Sequence, residues 1–278
     1  MADFDLHRKV VAHMTTKSWQ EIPHVTYVYE PDLTDFYKEY QKLNPKITFN
    51  TMLLKVIAEG LKAVPALNAH LTYNDKTARG RILEQASINI AIPWLLPDGR
   101  LLTPVLPNAE SLTLVEISAA IARLETQIEA TDVDCLLYET ARAKTLSELR
   151  NFQLGGLLRI LANRPLKRSA QSPDGLKPED LLSATVTVSN IGSLYKEQRG
   201  FFALLEIIPP QVCAIGIGAL SERAGVYEDK FGKKVVGVRK VLPMCIAFDH
   251  RALDFNEVVP FLKALDRIFQ SPKVIWEW

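Results

Sequence analysis

Apolar positions along the first half of the chain switch between a strand-like and a helix-like period. Residues 24–29, His-Val-Thr-Tyr-Val-Tyr, are β-branched and aromatic and predict a strand. Pro31-Asp32-Leu33-Thr34 is a turn leading into a helix with Phe36, Tyr37 and Tyr40. In 48–64, Met52, Leu53, Val56, Ile57, Leu61 and Val64 recur at three and four residues, the mark of a helix with one buried stripe. Pro65 stops it. Residues 71–83 read as a hairpin or a pair of short strands around Asn74-Asp75-Lys76, and 88–92 and 101–106 as apolar strands flanking Pro97-Asp98-Gly99. Residues 113–128 are amphipathic, with Leu114, Ile117, Ile121, Leu124 and Ile128 on one face.

A largely helical stretch runs from 135 to about 163, with Gly155-Gly156 as a place for a break. The polar Ser/Pro/Gly segment 167–178 is a loop rather than an interdomain linker. Strands follow at 184–188, 212–217, 235–238 and 243–248, with the turn Lys230-Phe231-Gly232-Lys233 fitting a hairpin. A helix at 257–269, Pro272 and an apolar tail end the chain. No internal repeat or low-complexity tract occurs. Several strands mixed with four or five helices make an α/β or α+β pattern.

Composition narrows the function classes. A length of 278 residues suits one large α/β domain or two modest ones. With 47% hydrophobic and 23% charged residues the chain is not largely disordered. Thirty-three basic against 32 acidic residues leave +1, without the basic excess of a nucleic-acid binder or a polybasic membrane-surface protein. Cys135, Cys213 and Cys245 are odd in number and widely spaced, so no disulfide framework is expected. Neither they nor the five histidines have metal-site spacing, so no metal is expected. Met1-Ala2-Asp3-Phe4-Asp5 is not a signal peptide, and the apolar runs are too short to span a bilayer. The expectation is a cytoplasmic protein.

The densest chemical signal is Asp249-His250-Arg251-Ala252-Leu253-Asp254, between an apolar strand and a helix. A histidine held there by charged neighbours suits a general base. The same residues also read as a solvated turn, with Asp254 or Asn256 capping the helix. A second signal, Thr185-Val186-Thr187-Val188-Ser189-Asn190-Ile191-Gly192, ends a strand in small polar residues. Such an end aims a hydroxyl and backbone N–H groups at an oxyanion, or is an ordinary strand-to-turn transition. Gly216-Ile217-Gly218 lacks the rest of a dinucleotide fingerprint, and no phosphate loop or Gly-x-Ser-x-Gly elbow occurs. Cys213 reads as inert core.

Taken in order, these segments resemble the catalytic domain of the dihydrolipoyl acyltransferases of 2-oxo acid dehydrogenase complexes, which shares the chloramphenicol acetyltransferase fold. The resemblance is carried by Arg8-Lys9-Val10-Val11-Ala12-His13-Met14-Thr15, Ile22-Pro23-His24-Val25-Thr26, Val64-Pro65-Ala66-Leu67-Asn68-Ala69, Ile88-Asn89-Ile90-Ala91-Ile92 and Leu102-Thr103-Pro104-Val105-Leu106-Pro107-Asn108-Ala109. Leu176-Lys177-Pro178-Glu179-Asp180-Leu181, the Ser189 strand, Pro209-Pro210-Gln211 and the His250 motif continue it. It implies one acyltransferase domain over 1–278, a two-layer α/β sandwich with a mixed sheet flanked by helices. It implies transfer of an acyl group between coenzyme A and a dihydrolipoyl-type thiol, without a metal. His250 would take the thiol proton, Ser189 would donate to the oxyanion, and Asp254 would support, with Arg8 its candidate partner. Ser189, Asn190 and Arg8 are the candidate coenzyme A contacts. The resemblance also implies a homotrimer or larger assembly, with histidine and serine from different subunits. A lipoyl group would be supplied in trans by a lipoylated protein or dehydrogenase-complex component.

The chain departs from the family at several places. Phe255 stands where the family has glycine after the second acid, and Ser183-Ala184 replaces Gly-Gly. Residues 193–200 replace a glycine-rich stretch, and 135–164 reads as a helical insertion. Asp75-Lys76 and Asp229-Lys230 have the form of a lipoylated pair but read more simply as hairpin turns. No lipoyl domain is expected before the segment. Two other readings stay open: a chloramphenicol-acetyltransferase-type enzyme acting on a small alcohol or amine, and a non-catalytic core protein of a complex.

Overall fold

One mixed sheet organises the chain. The computed structural model describes residues 3–150, 172–198, 200–229 and 231–278, with backbone alone for 144–150. The chain enters through α1 (Leu6–Glu21), β1 (His24–Tyr29), α2 (Thr34–Tyr40) and α3 (Phe49–Leu61). A hairpin of β2 (Ala69–Asn74) and β3 (Arg79–Glu84) follows, then the short strands β4 (Ile90–Ala91), β5 (Trp94–Leu95), β6 (Leu101–Leu102) and β7 (Val105–Leu106). Next come α4 (Leu114–Glu129), α5 (Val133–Arg150), α6 (Glu179–Leu182) and β8 (Val186–Asn190). The last part is β9 (Cys213–Ile217), β10 (Ser221–Glu228), β11 (Lys234–Val241), β12 (Met244–Asp249) and α7 (Phe255–Gln270).

The six-stranded sheet has the order β1-β12-β9-β8-β4-β7. Pairing is antiparallel from β1 through β12 to β9, parallel from β9 through β8 to β4, and antiparallel to β7. Every residue of β9 and β12 is buried, as expected for strands covered on both faces. Successive side chains alternate between faces. One face carries Val186, Val188, Ile215, Ile217, Ile246 and Phe248 into the main core, with Met52, Ile57, Phe261 and Leu265 from α3 and α7. The other carries smaller residues, Ala214 and Ala247, against Ile22 and Ile207. Gly60 permits the close approach of α3 and α7, since a Cβ there would lie 2.8 Å from the Phe261 ring.

Local signals account for most boundaries. Thr48 caps α3 by accepting from the Thr51 N–H, and Thr113 and Glu116 form a capping box on α4. The strand expected at 88–92 is shortened to Ile90–Ala91, and that expected at 101–106 is split into Leu101–Leu102 and Val105–Leu106. Pro93 separates the first of these from β5 and Pro104 falls at the split, since proline cannot donate to a ladder. The strand expected at 184–188 lies two residues later, so Ser189 and Asn190 belong to it. The segment 235–238 is part of an eight-residue strand, β11, whose partner β10 has little β-branched signal. The last helix starts at Phe255 rather than 257. α5 covers the start of the stretch expected to be helical over 135–163; the remainder, with Gly155-Gly156, lies outside the described residues. Among the described residues, no helix is long and apolar enough to cross a membrane.

Candidate active site

His250 follows β12, a strand buried along its whole length. Asp249 ends β12 with 1% exposure, and the chain then turns tightly, the Ala252 and Leu253 N–H groups both donating to the Asp249 carbonyl at 2.9 and 3.1 Å. The His250 N–H donates to the Pro23 carbonyl at 3.1 Å, tying the turn to the chain entering β1. The His250 Nδ1 lies 3.1 Å from the Leu253 carbonyl oxygen and 3.4 Å from Asp254 Oδ1. A carbonyl only accepts, so Nδ1 carries the proton and Nε2 holds the lone pair. The ring meets Phe248 edge-on, with centroids 6.3 Å apart, and half of the side chain is exposed. This arrangement suits proton abstraction by Nε2.

Asp254 occupies the N-cap of α7, and its backbone N–H donates to Glu257 Oε2 at 2.7 Å. Asp254 thus caps α7 while its carboxylate lies 3.4 Å from His250 Nδ1. Phe255 is exposed and packs on Tyr27 of β1, ring centroids 5.1 Å apart. Asp249 and Arg251 form a bidentate ion pair that sequence reasoning passed over. The motif Asp-His-Arg contained the signal, because residues two apart across a tight turn meet.

Ser189 sits near the end of β8, half-buried and opposite Gly216 of β9. It shares the second face of the sheet with Thr187, whose hydroxyl donates to Gln211 Oε1 at 2.8 Å. Asn190 is committed to structure. Its Nδ2 donates to Asn50 Oδ1 at 2.9 Å, and its Oδ1 accepts from the Ser193 N–H at 3.1 Å. Gly192 lies against the Gly218 carbonyl, where a Cβ would collide with backbone.

The sheet register separates serine from histidine. Ser189, Gly216 and Cys245 are aligned across β8, β9 and β12. His250 lies five residues beyond Cys245, toward the other end of the sheet. Five residues at about 3.4 Å and two strand spacings of about 4.8 Å put the two roughly 20 Å apart in one chain. Arg8 is on the first turn of α1, exposed, its backbone N–H donating to Asp5 Oδ1 at 2.7 Å. Among the described residues of one chain no ion pair joins it to Asp254.

A cleft of ≈ 510 Å³ opens at the Ser189 end of the sheet. Tyr37, Asn50, Asn190, Gly192, Ser193 and Gly218 to Leu220 are among its lining residues, with Lys196 and Lys240 supplying positive charge. The Lys240 Nζ lies 5.3 Å from the Tyr37 ring centroid and 3.1 Å from Glu222 Oε1. These residues come from distant segments, so no local motif marks them. Among the described residues, no three His, Cys, Asp or Glu side chains gather as a metal site.

The chain is 25% identical over 268 residues to the dihydrolipoyllysine-residue acetyltransferase component of the pyruvate dehydrogenase complex of Mycobacterium tuberculosis, covering 93% of this chain and 39% of that protein. It is 26% identical over 275 residues to the protein of that name from Bacillus subtilis, covering 96% and 49%. The chain thus spans about half or less of the length of these curated relatives. Its fold matches the cubic core of the pyruvate dehydrogenase multienzyme complex, with TM-score 0.65, 20% identity and coverage of 99% and 93%. It also matches a truncated catalytic core of the 2-oxoacid dehydrogenase multienzyme complex from Thermoplasma acidophilum, with TM-score 0.62, 22% identity and 98% coverage of each chain. The family described as 2-oxoacid dehydrogenases acyltransferase (catalytic domain) matches residues 3–135 and 156–276. The chain belongs to that family of acyltransferase catalytic domains.

Proposed function

We propose that the protein transfers an acyl group between coenzyme A and a dihydrolipoyl-type thiol, in a site shared by two copies of the chain. The observation that carries this is the pairing of a tautomer-fixed His250 with a Ser189 that lies roughly 20 Å away in the same chain. Two groups so far apart act on one substrate only if a neighbouring copy supplies the second. Closed rings of identical chains provide such a head-to-tail contact. A homotrimer or larger assembly follows, and the matched multienzyme cores support that reading. Residues 1–278 act as one domain, with 135–164 as an insertion; the family match pauses between 135 and 156.

Nε2 of His250 takes the proton of the attacking thiol. The thiolate attacks the thioester carbonyl, and the carbonyl electrons move to its oxygen. Ser189 Oγ of the adjacent copy donates a hydrogen bond to that oxyanion. Collapse breaks the bond to the other sulfur, which leaves as a thiolate and takes the proton back from His250. A positioned base contributes about 10²–10⁴ in rate and one oxyanion donor about 10²–10³. Asp254 supports the imidazolium through its carboxylate at 3.4 Å. Arg8 is assigned to the coenzyme A contacts, or to Asp254 of a neighbouring copy. The cleft beside Asn190 is assigned to the coenzyme, with Lys196 and Lys240 for phosphates and Tyr37 as an apolar wall. The partner is a lipoylated protein of a dehydrogenase complex, and the compartment is the cytoplasm.

Acyl transfer from acetyl-CoA to dihydrolipoamide tests the proposal, with His250→Ala beside the native chain. Transfer by the native protein and its loss in the variant are expected. Equal rates in both would remove His250 as the base, and inactivity of both with succinyl-CoA as well would shift the reading to a small-molecule acceptor.

A further inference from the structure

We infer that Asp249 and Arg251 are positioning residues that select the His250 tautomer, an inference resting on the reading of His250 as the base. The histidine stands between the two members of this pair. Arg251 Nε lies 3.0 and 3.2 Å from Asp249 Oδ1 and Oδ2, and Nη2 lies 2.7 Å from Oδ2. The Arg251 backbone N–H donates to Oδ1 at 2.9 Å. One carboxylate, 1% exposed, therefore takes up both the side chain and the backbone of the residue after the histidine.

The consequence reaches the imidazole through the backbone. With Arg251 clamped, the turn closes and the Ala252 and Leu253 N–H groups reach the Asp249 carbonyl. That closure aims the Leu253 carbonyl at Nδ1, 3.1 Å away. Asp254 is a weaker anchor, being 3.4 Å from Nδ1 and 71% exposed. The clamp is braced from outside, because the guanidinium lies 5.3 Å from the ring centroid of Tyr73 on β2. A buried ion pair contributes little net stability over an apolar replacement, since desolvation offsets the attraction. Its fixed fork geometry does specify one turn conformation. In that conformation Nδ1 is occupied and Nε2 is free to accept the thiol proton.

The test is imidazole ¹⁵N NMR of the full chain, joined to steady-state kinetics. Asp249→Asn keeps the shape and one acceptor oxygen but turns a donor toward Nη2. Expected are a mixed His250 tautomer population and a fall in kcat of about tenfold or more, with KM for coenzyme A within about threefold. Arg251→Lys, which has no fork, should behave similarly. Asp249→Asn/Arg251→Gln, a neutral hydrogen-bonded pair, should recover part of the loss. A folded Asp249→Asn with a single Nδ1–H tautomer and native kcat would overturn the inference. If the native chain transferred no acyl group at all, the base reading would fail, and the tautomer in Asp249→Asn would still decide the positioning role.

Discussion

Mixing two inactive variants tests the shared site most directly. Ser189→Ala removes the oxyanion donor, with an expected loss of about 10²–10³, and His250→Ala removes the base, about 10²–10⁴. Within one chain the two positions are roughly 20 Å apart across the register Ser189, Gly216, Cys245. On the shared-site proposal, each site of a ring draws its serine from one copy and its histidine from the next. In a randomised equal mixture, a site is intact when its serine comes from a His250→Ala chain and its histidine from a Ser189→Ala chain. Each condition holds with a chance of about one half, so about one quarter of sites recover in a closed ring. If each parent sits near a hundredth of native activity, the mixture should rise about 25-fold above either. The assay is acyl transfer after co-refolding, with mass spectrometry of the intact assembly to show that chains have exchanged. Activity staying at the parental level in fully exchanged assemblies would refute the shared site.

Three further outcomes are expected. Gly192→Ala places a Cβ against the Gly218 carbonyl, so the cleft wall beside Asn190 must shift; coenzyme A titration should show weaker binding with unchanged circular dichroism. Burial pushes the Cys213 thiol up to about 12 and Cys245 up to about 11. Raised values keep them as thiols well above neutral pH, so iodoacetamide should label neither below about pH 9 until the chain unfolds, whereas half-exposed Cys135 should react first. Phe261→Ala empties a fully buried position between α7 and α3, and should lower unfolding free energy by about 3–5 kcal/mol in urea titration.

Much of the architecture was legible in the residues because the forces that specify it are local. The β-branched run 24–29 became β1 with the same bounds, and the three-and-four spacing of 48–64 became α3 with Thr48 as its cap. The turn residues Asn74-Asp75-Lys76 marked a real hairpin. Boundaries slipped where local signals compete, as at Pro93 and Pro104, where apolar content favours a strand and the missing N–H ends it. The motif around His250 also stood out, since its chemistry lies within six consecutive residues.

Other features depend on which strands become neighbours, a choice made by long-range packing that no window of sequence contains. Sequence spacing says nothing of the distance between Ser189 and His250; the register through Gly216 and Cys245 sets it. Tyr37, Asn50, Lys196 and Lys240 share a cleft because α2, α3, the loop after β8 and β11 converge at one end of the sheet. The Leu253 carbonyl reaches Nδ1 across a turn that the Asp249–Arg251 ion pair spans. Periodicity and turn chemistry thus specify the elements, while burial of the sheet's two unlike faces specifies their order and, through it, the placement of every group in the site.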